Sequence, residues 1–246
     1  MIVDFLKKHF ILAILSVIST ALYYIDYLIL GNVRDTASSF IGNLAFLPVY
    51  IIFITVIVEQ SMRERERQTI LRKLNMVIGV FFSEVGNRLL KELSAYIVAG
   101  HDLRHQLHIS AQWSDADFER AFSYLKSDLQ INCQNRDKQQ LKDFLVSKRG
   151  FLVSLLENQN LLEHEQFTDL LWAVFHLVEE LEARKSLEGL PLTDIDHING
   201  DIKRVFGHLS REWVFYMKHL KHDYPYLFSL AIRLNPMVDN PDPHVC

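Results

Sequence analysis

The 246-residue chain has few of the residues that punctuate or staple a fold: nine glycines, six prolines and two cysteines. So few turn formers, with no useful stretch of period-two alternation, argue against a sheet-rich fold and for an all-α one. Cys133 and Cys246 stand far apart in the chain, so neither a disulfide framework nor a Cys-based zinc site is expected. Charge bias is also missing. The formal net charge is −4 and the first sixty residues carry −1 of it, which gives no global pull toward nucleic acid. The chain also lacks a nucleophile arrangement, a Walker loop, a kinase or cyclase signature and a basic aromatic surface, so no motif fixes a reaction, a nucleotide or a nucleic acid.

Two long apolar runs lie near the start, His9 to Leu30 and Phe40 to Val58. The second is uncharged throughout and, at 1.5 Å per helical residue, spans about 28 Å, close to the ~30 Å hydrocarbon thickness of a bilayer. The first is interrupted only by Asp26 near its end, where Tyr23, Tyr24 and Tyr27 suit an interface and the cost of a charge is small. Both are apolar around the whole helix, unlike a soluble core helix with its polar stripe, and the first is too long for a typical cleaved signal peptide. A transmembrane hairpin is expected, with spans at about 9–30 and 39–59. Lys7 and Lys8 precede it, only Arg34 lies in the connection, and Arg63, Arg65, Arg67, Arg72 and Lys73 follow it. This asymmetry puts both termini in the cytoplasm and the five trailing cations at the lipid headgroups. The exposed loop, Gly31 to Ser39, is too short to fold into a receptor domain.

Beyond residue 60 the apolar residues Ile70, Leu74, Val77, Phe81, Val85 and Leu89 recur every three or four positions, extending the second span as a stalk helix to about Ala99, with Pro48, Gly79 and Gly86 as places to bend. Ser114 and Asp117 form a capping-box pattern ahead of Phe118, Phe122, Leu125 and Leu129. Helices follow at about 137–157, 161–187 and, after the Glu188-Gly189-Leu190-Pro191 turn and a Thr193/Asp196 cap, to about His222 along a stripe of Ile198, Ile202, Val205, Leu209, Trp213, Tyr216 and Leu220. Pro225 opens a short apolar helix to Leu234, expected to plug the core or, failing that, to lie in the inner-leaflet interface. Residues 235–246 are expected to be disordered. The plan is all-α: a two-helix transmembrane hairpin at 1–60, a juxtamembrane stretch and stalk at 61–100, and a cytoplasmic multi-helix bundle at 101–234 built on the extended second span.

Chemistry has few places to reside. Leu170 to Val178 is apolar except for His176, which is expected to be buried, with Glu180 one turn on; His208 and Glu212 repeat the spacing. At about 100° per residue His197, Asp201, His208, Glu212 and His219 share one flank within roughly 60°. With Glu84 as a further ligand, His176, Glu180, His208 and Glu212 are candidates for a divalent metal, the one cofactor these residues suggest; a polar seam of mutual hydrogen bonds is the plainer reading. His101, His105 and His108 share a helical face and form a second metal candidate. Asp26, Asn43 and Thr55 are the polar groups inside the spans, and polar groups there commonly mark transport paths.

The expected function is a membrane-anchored, non-enzymatic scaffold or signal relay. A metal-binding bundle and an oligomeric channel are the rivals. The partners expected are the lipid bilayer and either a second copy of the chain or a cytoplasmic protein.

Overall fold

In the computed structural model, which describes residues 14, 17–29, 33–98, 100–127, 129–134, 137–158, 161 and 164–244 with all their side chains except those of residues 33, 36 and 67–73, every regular element is helical. The one exception among these residues is an isolated antiparallel bridge between Ile97 and Ile131. The chain divides into two compact units, Met1–Arg67 and Gln68–Cys246.

The first unit holds α1 (Val17–Ile29) and the beginning of α2 (Val33–Phe81). α1 lies beside α2: the Tyr23 ring meets Phe40 edge-on at 5.6 Å, and the Asn43 amide donates to the Tyr23 hydroxyl at 3.4 Å. One described helical stretch, Ala37–Glu66, is long and apolar enough to cross a membrane, and none of its most apolar window is buried. The expected first span is only partly visible. Residues 9–13, 15, 16 and 30 lie outside the described residues, and the Val17–Ile29 helix alone, about 20 Å long, is too short to cross.

In the second unit the stalk helix, expected to run to about Ala99 with Gly86 among its places to bend, is interrupted by a π-helical turn, Phe82–Gly86, followed by α3 (Asn87–Ser94). The reason is in the spacing of the buried residues, which come in adjacent pairs: Phe81 with Phe82, Val85 with Gly86, Leu89 with Leu90, Leu93 with Ser94. An α-helix drifts about 40° for every four residues, so pairs repeating every four would rotate out of the core. A wider π turn absorbs the excess. Gly86 permits it, because a Cβ there would stand 2.5 Å from Cδ1 of Phe82.

α4 (Gly100–Gln106) and α5 (Asp115–Leu125) follow; at the head of α5 the Ser114 backbone N–H donates to the Asp117 carboxylate at 2.6 Å, as the capping pattern predicts. α6 (Lys138–Leu156) is capped by Asp137, whose carboxylate accepts from the N–H groups of Gln139 and Gln140. α7 (Glu165–Ala183) and α8 (Leu192–Asp223) form the centre of the bundle, and α6 packs on α7. α8 starts one residue before the expected Thr193 cap, with Pro191 at its N-cap. Its predicted stripe faces inward: Ile198, Ile202, Val205, Leu209, Trp213 and Leu220 are buried, and Tyr216, partly buried, stacks on Phe82 at 5.1 Å. Phe81 meets Phe82 and Phe167 edge-on at 5.3 and 5.2 Å, joining the end of α2 to α7.

Two expectations fail at the C-terminal end. α9 (Pro225–Arg233) buries Phe228, packs Ala231 and Ile232 partly against the core and leaves Tyr226, Leu227 and Leu230 exposed, so it covers the core as a flap rather than filling it. The segment after it is anchored: Asn235 is fully buried, its amide donating to the Leu107 carbonyl at 3.1 Å while its side-chain oxygen accepts from the Met237 N–H.

Candidate functional site

α7 and α8 are joined by a tight reversal at residues 184–191. Gly189 lies within it with φ +65°, a left-handed conformation that favours glycine. The reversal brings the outer flanks of the two helices together. α7 begins where the His164 ring accepts from the Phe167 N–H at 3.1 Å, and burial holds that imidazole below its ordinary pKa. From there the helix buries Phe167, Leu170, Leu171, Val174, Leu177, Val178 and Leu181 against α6 and α8. Its remaining side is open, which corrects the expectation that His176 is buried: Trp172 is exposed and the His176 side chain is 44% exposed.

His176 and Glu180, one turn apart on α7, meet His197 and Asp201, one turn apart on α8. The four groups alternate imidazole and carboxylate around a ring. His176 Nε2 stands 3.7 Å from Asp201 Oδ1 and 3.9 Å from Glu180 Oε1; His197 Nε2 stands 3.4 Å from Asp201 Oδ2 and 3.5 Å from Glu180 Oε2. Asp201 is the inner member, 3% exposed, whereas His197 is half exposed. Two arginines hold the carboxylates. Arg204 donates to Asp201 Oδ1 at 2.8 Å, and Arg184 donates to both the carbonyl and the Oε2 of Glu180 at 2.6 Å while standing 3.4 Å from Asp194. The hydrogen bond from Arg184, aided by its charge and by His197, keeps the Glu180 carboxyl below its ordinary pKa. Asp201 Oδ2 is shut away from solvent with no hydrogen-bond partner. Among the described residues, His176, His197 and Asp201 are the group of three metal-ligating side chains whose donor atoms lie within 4.8 Å of one another.

The other half of the predicted set lies elsewhere. His208 and Glu212 are two to three turns further along α8 and face the first turns of α7 across a cavity of about 470 Å³, lined also by Gln166, Asp169, Phe122 and Phe215. Burial pushes the Glu212 carboxyl up to about 7, with Arg211 opposing, and holds His208 below its ordinary pKa, with Arg211 helping. Glu84, on the π turn, pairs with Lys148 of α6 at 3.0 Å. The structure therefore does not gather His176, Glu180, His208, Glu212 and Glu84 around one point; two separate polar sites replace the predicted one. His219 approaches Asn75 at 3.3 Å and Asp223 at 2.7 Å.

His101 and His105 project from the short α4 and His108 lies beyond its end; all three are exposed, and they are not gathered into a metal-binding group. Arg63 pairs with Glu59 one turn back, and the side chains of Arg67, Arg72 and Lys73 lie outside the described residues. Asp26 and Asn43 line a cleft with Ser19, Tyr23 and Ser39, where Asp26 Oδ2 is shut from solvent without a hydrogen-bond partner; Thr55 is exposed on α2. Cys133 is buried, its thiol pushed up by that burial, and Cys246 lies outside the described residues.

Two family models match the chain. One, described as the N-terminal helical domain of MJ1433, covers residues 4–62, and the other, described as the C-terminal helical domain of uncharacterized protein MJ1433, covers residues 70–233. The gap between them contains the boundary of the two compact units. Uncharacterized protein MJ1433 of Methanocaldococcus jannaschii is 43% identical over 233 residues, covering 94% of each chain. No solved structure matches.

Proposed function

The chain belongs to the MJ1433 family, and from that premise we propose that it is a membrane-anchored, non-enzymatic helical module, in which residues 1–60 form a transmembrane hairpin and the bundle serves as a cytoplasmic scaffold or relay. The observation that carries this reading is the Ala37–Glu66 stretch of α2, a long apolar helix with no part of its most apolar window buried. Exposing its fourteen large aliphatic and aromatic side chains from Phe40 to Val58 to water would cost far more than a domain's net stability, at roughly 25 cal/mol per Å² of apolar surface. A bilayer removes that cost. The cleft holding Asp26 lies near the α1–α2 connection, which suits an interfacial carboxylate, and Arg63, Arg65, Arg67, Arg72 and Lys73 are suited to anionic headgroups on the cytoplasmic side. The relative aligned over 94% of its length supports a hairpin and bundle that act as one protein.

Cysteine accessibility tests the anchor. With Asp35→Cys, Ile51→Cys and Ser61→Cys introduced singly into a chain whose native Cys133 and Cys246 are replaced by serine, a membrane-impermeant maleimide should label the first in intact cells, the third only after permeabilisation, and the second in neither. Labelling of Ile51→Cys, or release of the protein by alkaline carbonate, overturns the reading. Cross-linking in native membranes tests the scaffold: recovery of uncross-linked monomer alone counts against it.

The unpartnered Asp26 oxygen favours a second reading, a channel of several hairpins with Asp26, Asn43 and Thr55 toward a shared pore. A monomer in mild detergent removes it.

A further inference from the structure

We propose that His176, Glu180, His197 and Asp201 form a binding site for one divalent transition metal of the zinc class, a property separate from membrane anchoring. The geometry is the first argument. Donors about 2.0–2.1 Å from a tetrahedral ion stand about 3.3–3.4 Å apart. The imidazole-to-carboxylate contacts around the ring measure 3.4, 3.5, 3.7 and 3.9 Å, and His176, His197 and Asp201 each offer one donor atom within 4.8 Å of the others, so these three draw together to reach the tetrahedral separation and Glu180 rotates further to supply the fourth donor. The ligands come as His-x-x-x-Glu on α7 and His-x-x-x-Asp on α8. Antiparallel packing of two such pairs places each imidazole between two carboxylates.

The second argument is independent of the cluster. Asp201 is almost wholly buried, and its Oδ2 has no hydrogen-bond partner while pointing at the ring. A buried acceptor left unsatisfied is costly, and a cation bound at Oδ2 removes the deficit. The remaining carboxylate contacts resemble the outer support of a metal site: Arg204 fixes Asp201 through Oδ1, and Arg184 fixes Glu180 through Oε2. Two imidazoles with two carboxylates suit zinc and its first-row neighbours, and disfavour magnesium and calcium, which take all-oxygen sites. The half-exposed histidines leave the ion an entry path.

Charge sets the strength. Glu180, Asp201 and nearby Asp194 are balanced by Arg184 and Arg204 to a net −1, so a dication is attracted weakly and the site exchanges its ion rather than burying it for good.

The test uses the full chain in detergent micelles, free of a histidine tag and stripped with chelator, titrated with Co²⁺ and then Zn²⁺. The expected result is one equivalent of Co²⁺ with the intense visible absorption of four-coordinate cobalt, displaced by Zn²⁺. The H176Q/H197Q double variant should lose at least about 100-fold in affinity, and the H101Q/H105Q/H108Q triple variant should bind as the parent does. No binding, a six-coordinate cobalt spectrum, or unchanged binding in H176Q/H197Q overturns the proposal. The two histidines are surface-accessible, so circular dichroism of H176Q/H197Q should match the parent; should it not, H197Q alone, with its smaller perturbation, must still lose the four-coordinate spectrum.

Discussion

Replacing Glu212 by glutamine should stabilise the protein at alkaline pH and leave it nearly unchanged at acid pH. Glu212 is 4% exposed, and burial raises its carboxyl from 4.5 to about 7, Arg211 offsetting only part of the effect. A pKa that is higher in the folded than in the unfolded chain means that folding takes up a proton between those values, so stability falls as pH rises from 4.5 to about 7 and is flat beyond. At about 1.4 kcal/mol per pH unit, the ionised carboxylate costs the fold about 3 kcal/mol above pH 7. That figure is a ceiling, since the cavity of about 470 Å³ beside Glu212 can admit water to the charge. Glutamine keeps the shape and removes the ionisation. For a bundle of this size each kcal/mol moves the melting temperature by roughly 2–4 °C, which puts E212Q about 6–12 °C above the parent at pH 8. At pH 4.5 the two should nearly coincide. Thermal melts of both proteins in the same micelles across pH 4.5–8 make the comparison, and His208, depressed in both, cancels from the difference. An offset that is the same at both ends of the range, or absent at pH 8, refutes the assignment of a buried, ionising Glu212.

The remaining predictions concern packing. Gly86→Ala should cost about 1–3 kcal/mol, because its Cβ would meet Phe82 at 2.5 Å and Phe81 at 3.0 Å within the π turn, whereas Gly207→Ala, with nothing within 4 Å inside α8, should gain about 0.5–1 kcal/mol; thermal melts measure both. Phe228→Ala should cost about 3–5 kcal/mol as the single buried anchor of α9, while Leu230→Ala on its exposed side should stay within about 0.5 kcal/mol; equal losses would mean that α9 is packed on both sides.

Helices were legible wherever one physical pattern dominated. The capping box at Ser114 and the long stripe of α8 each specify an element locally, and each lies where its pattern puts it. The π turn was written in the sequence too, in the spacing of four that runs Phe81, Val85, Leu89, but a spacing of four also belongs to α-helices. It is diagnostic only when both members of each adjacent pair are known to be buried, and burial is a tertiary fact. α9 misled for the opposite reason. Its composition is apolar enough for a core, yet the bundle beneath it fully buries Phe228 alone and only partly covers Ala231 and Ile232, so tertiary space overrode local hydrophobicity.

The site depended on register, and the register was half visible. Two antiparallel helices joined by a tight turn pair their residues symmetrically about a point in the turn, and here that point adjoins Gly189, the position with φ +65°. Reflecting α7 through the point between Glu188 and Gly189 sets His176 opposite Asp201 and Glu180 opposite His197, the contacts seen at 3.7 and 3.5 Å. The same reflection sets His208 opposite Asp169 and Glu212 opposite Glu165, toward the far end of α7 and about 10 and 16 Å along the helix from Asp201. Equal spacing of His and Glu in both helices made His208 and Glu212 appear the natural partners of His176 and Glu180. Spacing within a helix says only which residues share a face. The distance of each residue from the turn decides whom it meets, and by that measure His197 and Asp201, the two residues nearest the turn on the same flank of α8, complete the ring.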